Sequence, residues 1–245
     1  MNGTRRRALQ TIVVATGSVV GLAGCLENPL AASDVVDETH SVTGSELRSP
    51  EKTTARIDES IADYGEHGVW GTAMTEPDHG LELVGGGYAE TVDEGSLETD
   101  HLLAVYENPA RASGETRTYN LWFWSGVRPT ADGPTVERIE TGVALSTDQF
   151  SMGQYAPAGD AGRDGSAAVG IGVFDVATPR VEFPTAGGTV APRADGTGVG
   201  DGGGFYATWT GETTSTQSLL ATCEIEGPGL EALEFEWTTT ITIDE

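Results

Sequence analysis

Lysine is nearly absent from this chain: Lys52 stands alone among 13 basic residues, which face 38 acidic ones in 245 positions. The formal net charge of −25 excludes a general nucleic-acid binder, because such a protein lays a basic footprint on the phosphates. With only 2 cysteines, a disulfide-dense scaffold is excluded as well. The 4 histidines, His40, His67, His79 and His101, are scattered. No two share the four-residue spacing of a helical zinc motif, and neither Cys-x-x-Cys nor His-Glu-x-x-His occurs, so neither metal nor cofactor is expected. The longest apolar stretch is broken by Gln10, Thr11, Thr16 and Ser18, which leaves it too short for a membrane-spanning helix. The Gly-x-Ser-x-Gly turn of many hydrolases is missing too.

What is present begins with an address. Arg5, Arg6 and Arg7 precede an apolar run from Ala8 to Ala23 that ends in small residues. Charge would hold the start on the cytoplasmic side while the apolar run enters the membrane, the layout of a secretory signal. Leu22-Ala23-Gly24-Cys25 resembles the lipobox of prokaryotic lipoproteins, in which the cysteine is lipidated and becomes the mature N-terminus. Thr4-Arg5-Arg6-Arg7-Ala8-Leu9 resembles the twin-arginine export motif, with Arg5 and Arg6 as its pair. It departs at Ala8, where that family prefers Phe, and at Gln10, where Lys is common. Residues 1–24 are therefore expected to be a signal peptide, and 25–48 a lipidated cysteine with a flexible acidic tether. A chain of ~20 flexible residues spans roughly 25 Å end to end. Residues 49–245 are expected to form a single domain.

Spread carboxylates, scarce lysine and this signal together resemble exported lipoproteins of haloarchaea. The resemblance covers the signal and the composition; it implies a location on the outer face of the cytoplasmic membrane, held by the lipid on Cys25. A carboxylate-rich surface stays hydrated in molar salt, where screening lengths fall to about 3 Å and self-repulsion is small. The competing explanations are a calcium-loaded domain or a ligand for cationic partners.

Along the rest of the chain, Ser49, Pro50 and Glu51 read as the start of one helix and Gly65 as its stop, with Ala55, Ile57, Ile61 and Tyr64 as an apolar stripe. Then the period turns to two. Leu233, Phe235, Trp237, Ile241 and Ile243 share one face, opposite Glu234, Glu236, Thr238, Thr240, Thr242 and Asp244, which predicts a half-buried antiparallel strand. Leu219, Ala221, Cys223 and Ile225 alternate in the same way. Gly227-Pro228-Gly229 follows them, suggesting a hairpin with the last strand. Further candidates are 69–75, 81–88, 102–107, 119–127, 136–145, 167–175, 180–183 and 205–210. About ten short strands, one N-terminal helix and no βα alternation predict an all-β, antiparallel β-sandwich of Greek-key type.

Chemistry is thinly marked. The blue-copper lipoproteins of haloarchaea place Cys, His and Met close together in a C-terminal ligand loop; Glu224, Ile225 and Glu226 follow Cys223 instead. Cys223 is expected inward, as a small hydrophobe. The glycine-rich loop 196–204, with Asp195 and Asp201, and the acidic stretch around Asp160 and Asp164 have calcium-like oxygen content without a calcium spacing, and read as surface loops. Trp122 and Trp124, with Tyr119 nearby, either pack as core beneath the helix or form a binding surface for sugars or a partner protein. The resulting expectation is a lipid-anchored, non-catalytic binding or interaction module with an envelope protein or glycan as partner and no nucleic acid. The alternative is an extracellular hydrolase using carboxylates, for which the sequence singles out no pair among its 38 acids. If the acidity is an adaptation to salt, the melting temperature falls as KCl is diluted from molar to millimolar; equal melting temperatures contradict it.

Overall fold

The computed structural model describes residues 34–65, 80–93, 97–130, 133–157, 165–170, 180–185 and 188–244. They form an antiparallel β-sandwich with one α-helix. The strands are β1 (Asp34–Thr43), β2 (Glu82–Asp93), β3 (Leu97–Glu107), β4 (Arg117–Pro129), β5 (Thr135–Leu145), β6 (Ser151–Ala156), β7 (Gly165–Gly170), β8 (Arg180–Thr185), β9 (Thr189–Pro192), β10 (Gly200–Asp201), β11 (Gly204–Thr213), β12 (Gln217–Gly227) and β13 (Glu234–Asp244); helix α1 is Pro50–Tyr64. One sheet has the order β1-β13-β5-β11-β9 and the other β10-β6-β12-β4-β3-β2, while β7 and β8 pair separately.

The alternation in β13 is realised: Phe235, Trp237, Thr239, Ile241 and Ile243 are buried and the residues between them are not. They face a core that Leu103, Leu121, Phe123, Ala221 and Ile225 supply from the opposite sheet, all fully buried. Phe123 and Phe205 meet across the sandwich with ring centroids 5.9 Å apart. The expected hairpin of β12 with β13 does not form. β12 pairs with β4 and β6, whereas β13 pairs with β1 and β5. The segment after Gly227, with its 3-10 turn at Leu230–Ala232, carries the chain from one sheet to the other. Both strands thus turn their apolar faces into one core, which removes more apolar surface from water than pairing side by side would.

The boundary at Ser49 is also corrected. Residues 34–43, expected as tether, form β1, which pairs with β13 along its whole length from Asp34↔Ile243 to Thr43↔Glu234. Its inward positions are Val36, Glu38, His40 and Val42, so half of the half-buried stripe is polar and no apolar alternation announces the strand. Expected strand 69–75 lies outside the described residues, as does the 171–175 part of 167–175.

Helix α1 follows its sequence signals: Ser49 is the N-cap, Pro50 opens the first turn, and Gly65 (φ 78°) closes it, its N–H donating to the Ile61 carbonyl. The buried stripe is Thr53, Ile57 and Ser60 with Ile61 and Tyr64 beside it; Ala55, expected inward, is exposed. The helix lies on the outer face of the six-stranded sheet, where Tyr64 meets Trp124 edge to face at 4.8 Å. Gly126 makes room for this contact. A Cβ there would stand 2.3 Å from Trp124 and 2.6 Å from Tyr64. Gly126→Ala is therefore expected to destabilise the domain by about 1–3 kcal/mol through overpacking, read by urea unfolding at fixed KCl. An unchanged midpoint contradicts this packing.

Candidate functional site

The aromatic residues singled out from the sequence are core. Tyr119, Trp122 and Trp124 are 2%, 4% and 1% exposed, so they present no binding surface. Trp124 lies beneath α1, and Trp122 packs against Tyr106 with ring centroids 6.1 Å apart. Tyr119 points to the opposite face of β4, toward Phe150. Cys223 is a buried free thiol, as expected. Cys25, Arg5 and Arg6 lie outside the described residues, as do Asp160 and Asp164. Asp195 and Asp201 are exposed, on a loop tied by backbone hydrogen bonds between Gly198 and Gly204. His40 and His101 both lie near Trp237, at ring distances of 5.6 and 6.5 Å. Among the described residues no group of three His, Cys, Asp or Glu side chains is placed to hold a metal ion.

The site instead emerges from a pattern the sequence carries in plain view: basic residues at 48, 52 and 56. Before α1 begins, the chain runs along the free edge of β2. Arg48 N–H donates to the Gly86 carbonyl at 2.8 Å, and Gly86 N–H donates back at 3.2 Å. Glycine is required on that edge, because a Cβ at Gly86 would stand 2.5 Å from the Thr53 side chain and 2.3 Å from the Leu103 carbonyl oxygen. With Thr53, Ile57 and Ser60 turned into the protein, the neighbouring stripe Lys52, Ala55, Arg56 and Glu59 faces outward over β2. These four residues, with Arg48 and Tyr88, line a pocket of about 350 Å³.

Among the described residues, Tyr88 is one of the few large hydrophobic side chains left exposed. The Arg48 guanidinium lies over its ring, 4.1 Å from the centroid, and that of Arg56 is 5.1 Å away. This cation–π contact holds flexible side chains in place without neutralising their charge. Arg56 is also bound from below by Asp100, to which it donates at 2.6 Å, and it donates to Glu59, one turn along the helix, at 3.1 Å. Asp100 is only 9% exposed and accepts a second bond from the Tyr64 hydroxyl at 2.9 Å. Burial, then the adjacent Asp100 carboxylate, push the Tyr64 phenol well above its ordinary range, so it remains a proton donor.

Charge balance separates this pocket from the other ionic clusters. Arg111 pairs with Glu224 and Glu226, Arg117 with Glu107, Arg128 with Asp63 and Glu98, and Arg138 and Arg193 with Glu140. Arg48 and Lys52 have no carboxylate partner among the described residues. In a chain where acids outnumber bases by 38 to 13, two cations that face one pocket and are not paired with its one described carboxylate, Glu59, form a site suited to a bound anion. Elsewhere, burial pushes the Glu224 carboxyl up to about 7, against the pull of Arg111 and with the push of Glu226. Arg111 donates to it at 2.8 Å, so that carboxylate is already engaged within the fold. Among the described residues no helix is long and apolar enough to cross a membrane. No known protein family and no curated protein sequence matches this chain.

Proposed function

We propose that this chain is a lipid-anchored, non-catalytic binding module on the outer face of the cytoplasmic membrane of a salt-adapted cell. Its recognition site is the pocket of Arg48, Lys52, Arg56 and Tyr88. One observation carries the reading: two cations with no carboxylate partner among the described residues converge on a concave surface of a protein with a net charge of −25. Left unliganded, such cations would be expected to collect the abundant carboxylates around them, as the arginines elsewhere in the fold do.

The physics of a salty exterior fits this site. At molar ionic strength, attraction beyond about 3 Å is screened, so an acidic surface neither steers nor repels a charged ligand at long range. Only contact hydrogen bonds between charged groups retain strength. Arg48 supplies a fork of donors and Lys52 three more, on a backbone bridge and a helix that fix their positions. The lipobox supports the anchor: lipid on Cys25 would keep the pocket at the cell surface, within reach of an envelope glycan, protein or small solute.

The anchor has a direct test. Cys25→Ala is expected to move the protein from the membrane fraction into the medium, with the melting temperature of its folded domain unchanged, as read by fractionation and thermal unfolding. Retention of the variant in the membrane fraction rules out lipid anchoring.

A further inference from the structure

We infer that the pocket takes a phosphate monoester carried on a small polyol. This inference deepens the binding reading above and rests on it. The first argument is charge. Arg56 is already paired with Asp100 and Glu59, so among the described residues the pocket cations without an ion pair are Arg48 and Lys52. A phosphate monoester carries about −1.5 to −2 at neutral pH and matches both cations together. A carboxylate or a sulfate ester brings a single charge and leaves one cation unmatched.

The second argument is donor geometry. The Arg48 guanidinium carbon stands 4.1 Å from the Tyr88 ring centroid, which places its planar fork of N–H donors at the wall of the pocket. A tetrahedral oxyanion can accept two of them side by side while a further oxygen meets the Lys52 ammonium. The third is size. At about 30 Å³ per water, the 350 Å³ pocket holds far more than a phosphate group. The remaining wall carries Glu59, whose side chain is 69% exposed. A carboxylate would repel the phosphate if it stood among the cations, but it accepts hydrogen bonds from hydroxyl groups. Phosphate at Arg48 and Lys52, with hydroxyls toward Glu59, meets each of these three groups in keeping with its sign.

Such a group has two sources: a free polyol phosphate, or the headgroup of a lipid bearing a terminal phosphate. The test is isothermal titration calorimetry on the full-length chain in neutral detergent micelles and molar KCl. The probes are sn-glycerol 1-phosphate, inorganic phosphate, gluconate and glycerol. Glycerol phosphate is expected to bind at least tenfold more tightly than gluconate, and glycerol not at all. Arg48→Gln/Lys52→Gln, two exposed positions, is expected to lose at least tenfold in affinity at an unchanged melting temperature. Displacement of glycerol phosphate by micelles doped with phosphatidic acid assigns the lipid source, and undisturbed binding assigns the free one. Gluconate binding as tightly as glycerol phosphate, with loss in the double variant, overturns the phosphate assignment while the binding site stands. Unchanged glycerol phosphate affinity in the double variant overturns the assignment to this pocket. Failure of the wild-type chain to bind any probe overturns the assignment and removes the anion-binding function with it.

Discussion

The carboxylate of Asp100 is the group on which the candidate site depends. It sits on β3 beneath α1 and is 9% exposed. There it accepts hydrogen bonds from Arg56 and from the Tyr64 hydroxyl, with Arg128 3.8 Å away. A buried carboxylate is costly unless paired and hydrogen-bonded, and α1 supplies both partners from positions two turns apart. Satisfying that charge therefore fixes the helix along the sheet as well as against it. Trp124 is covered by the same placement, and Arg56 is brought over Tyr88. The pocket is a by-product of how one buried charge is neutralised.

The surrounding protein treats its few cations economically. Nearly every arginine whose side chain is described lies on a carboxylate, and two converge on Glu140, which is 3% exposed and also accepts a bond from Thr208. These clusters hold strands in register on the outer faces of the sheets and leave nothing for a ligand. Arg48 and Lys52 differ: among the described residues neither is paired with a carboxylate. Arg48 is tied to the edge of β2, and Lys52 stands in the first turn of α1. Glu59, the described acid that lines the same pocket, is occupied by Arg56.

Much of the fold is legible in the sequence where a single physical cause dominates. β13 has one wet and one dry face, so its alternation is clean, and α1 has a cap, a proline and a glycine stop at its ends. β4 and β12 are covered on both faces, and their two-sided burial leaves open which partner covers them. Trp122 and Trp124 were therefore readable as large apolar residues but not as core or surface, because that depends on where α1 settles. β1 was hidden by Glu38 and His40 on its inward face, which pair with each other at 3.3 Å. That β12 and β13 lie in different sheets could not be read from their short connection, since a glycine-proline-glycine segment serves a crossing between sheets as well as a hairpin. The basic spacing at 48, 52 and 56 was visible, but its meaning needed Tyr88, which lies 32 positions beyond Arg56 and comes alongside only when β2 passes under the helix.

The claim that Asp100 organises this site is tested most directly by a double-mutant cycle on Arg56 and Asp100, using Arg56→Gln, Asp100→Asn and the double variant, with unfolding free energies measured in urea at fixed molar KCl. Side chains this well buried, 14% and 12% exposed and 2.6 Å apart, are predicted to show a coupling of about 1–3 kcal/mol, which persists in salt because the contact lies inside the screening length. A coupling indistinguishable from zero would mean that the helix is held by its apolar stripe alone, and the account of how the pocket is built would be wrong.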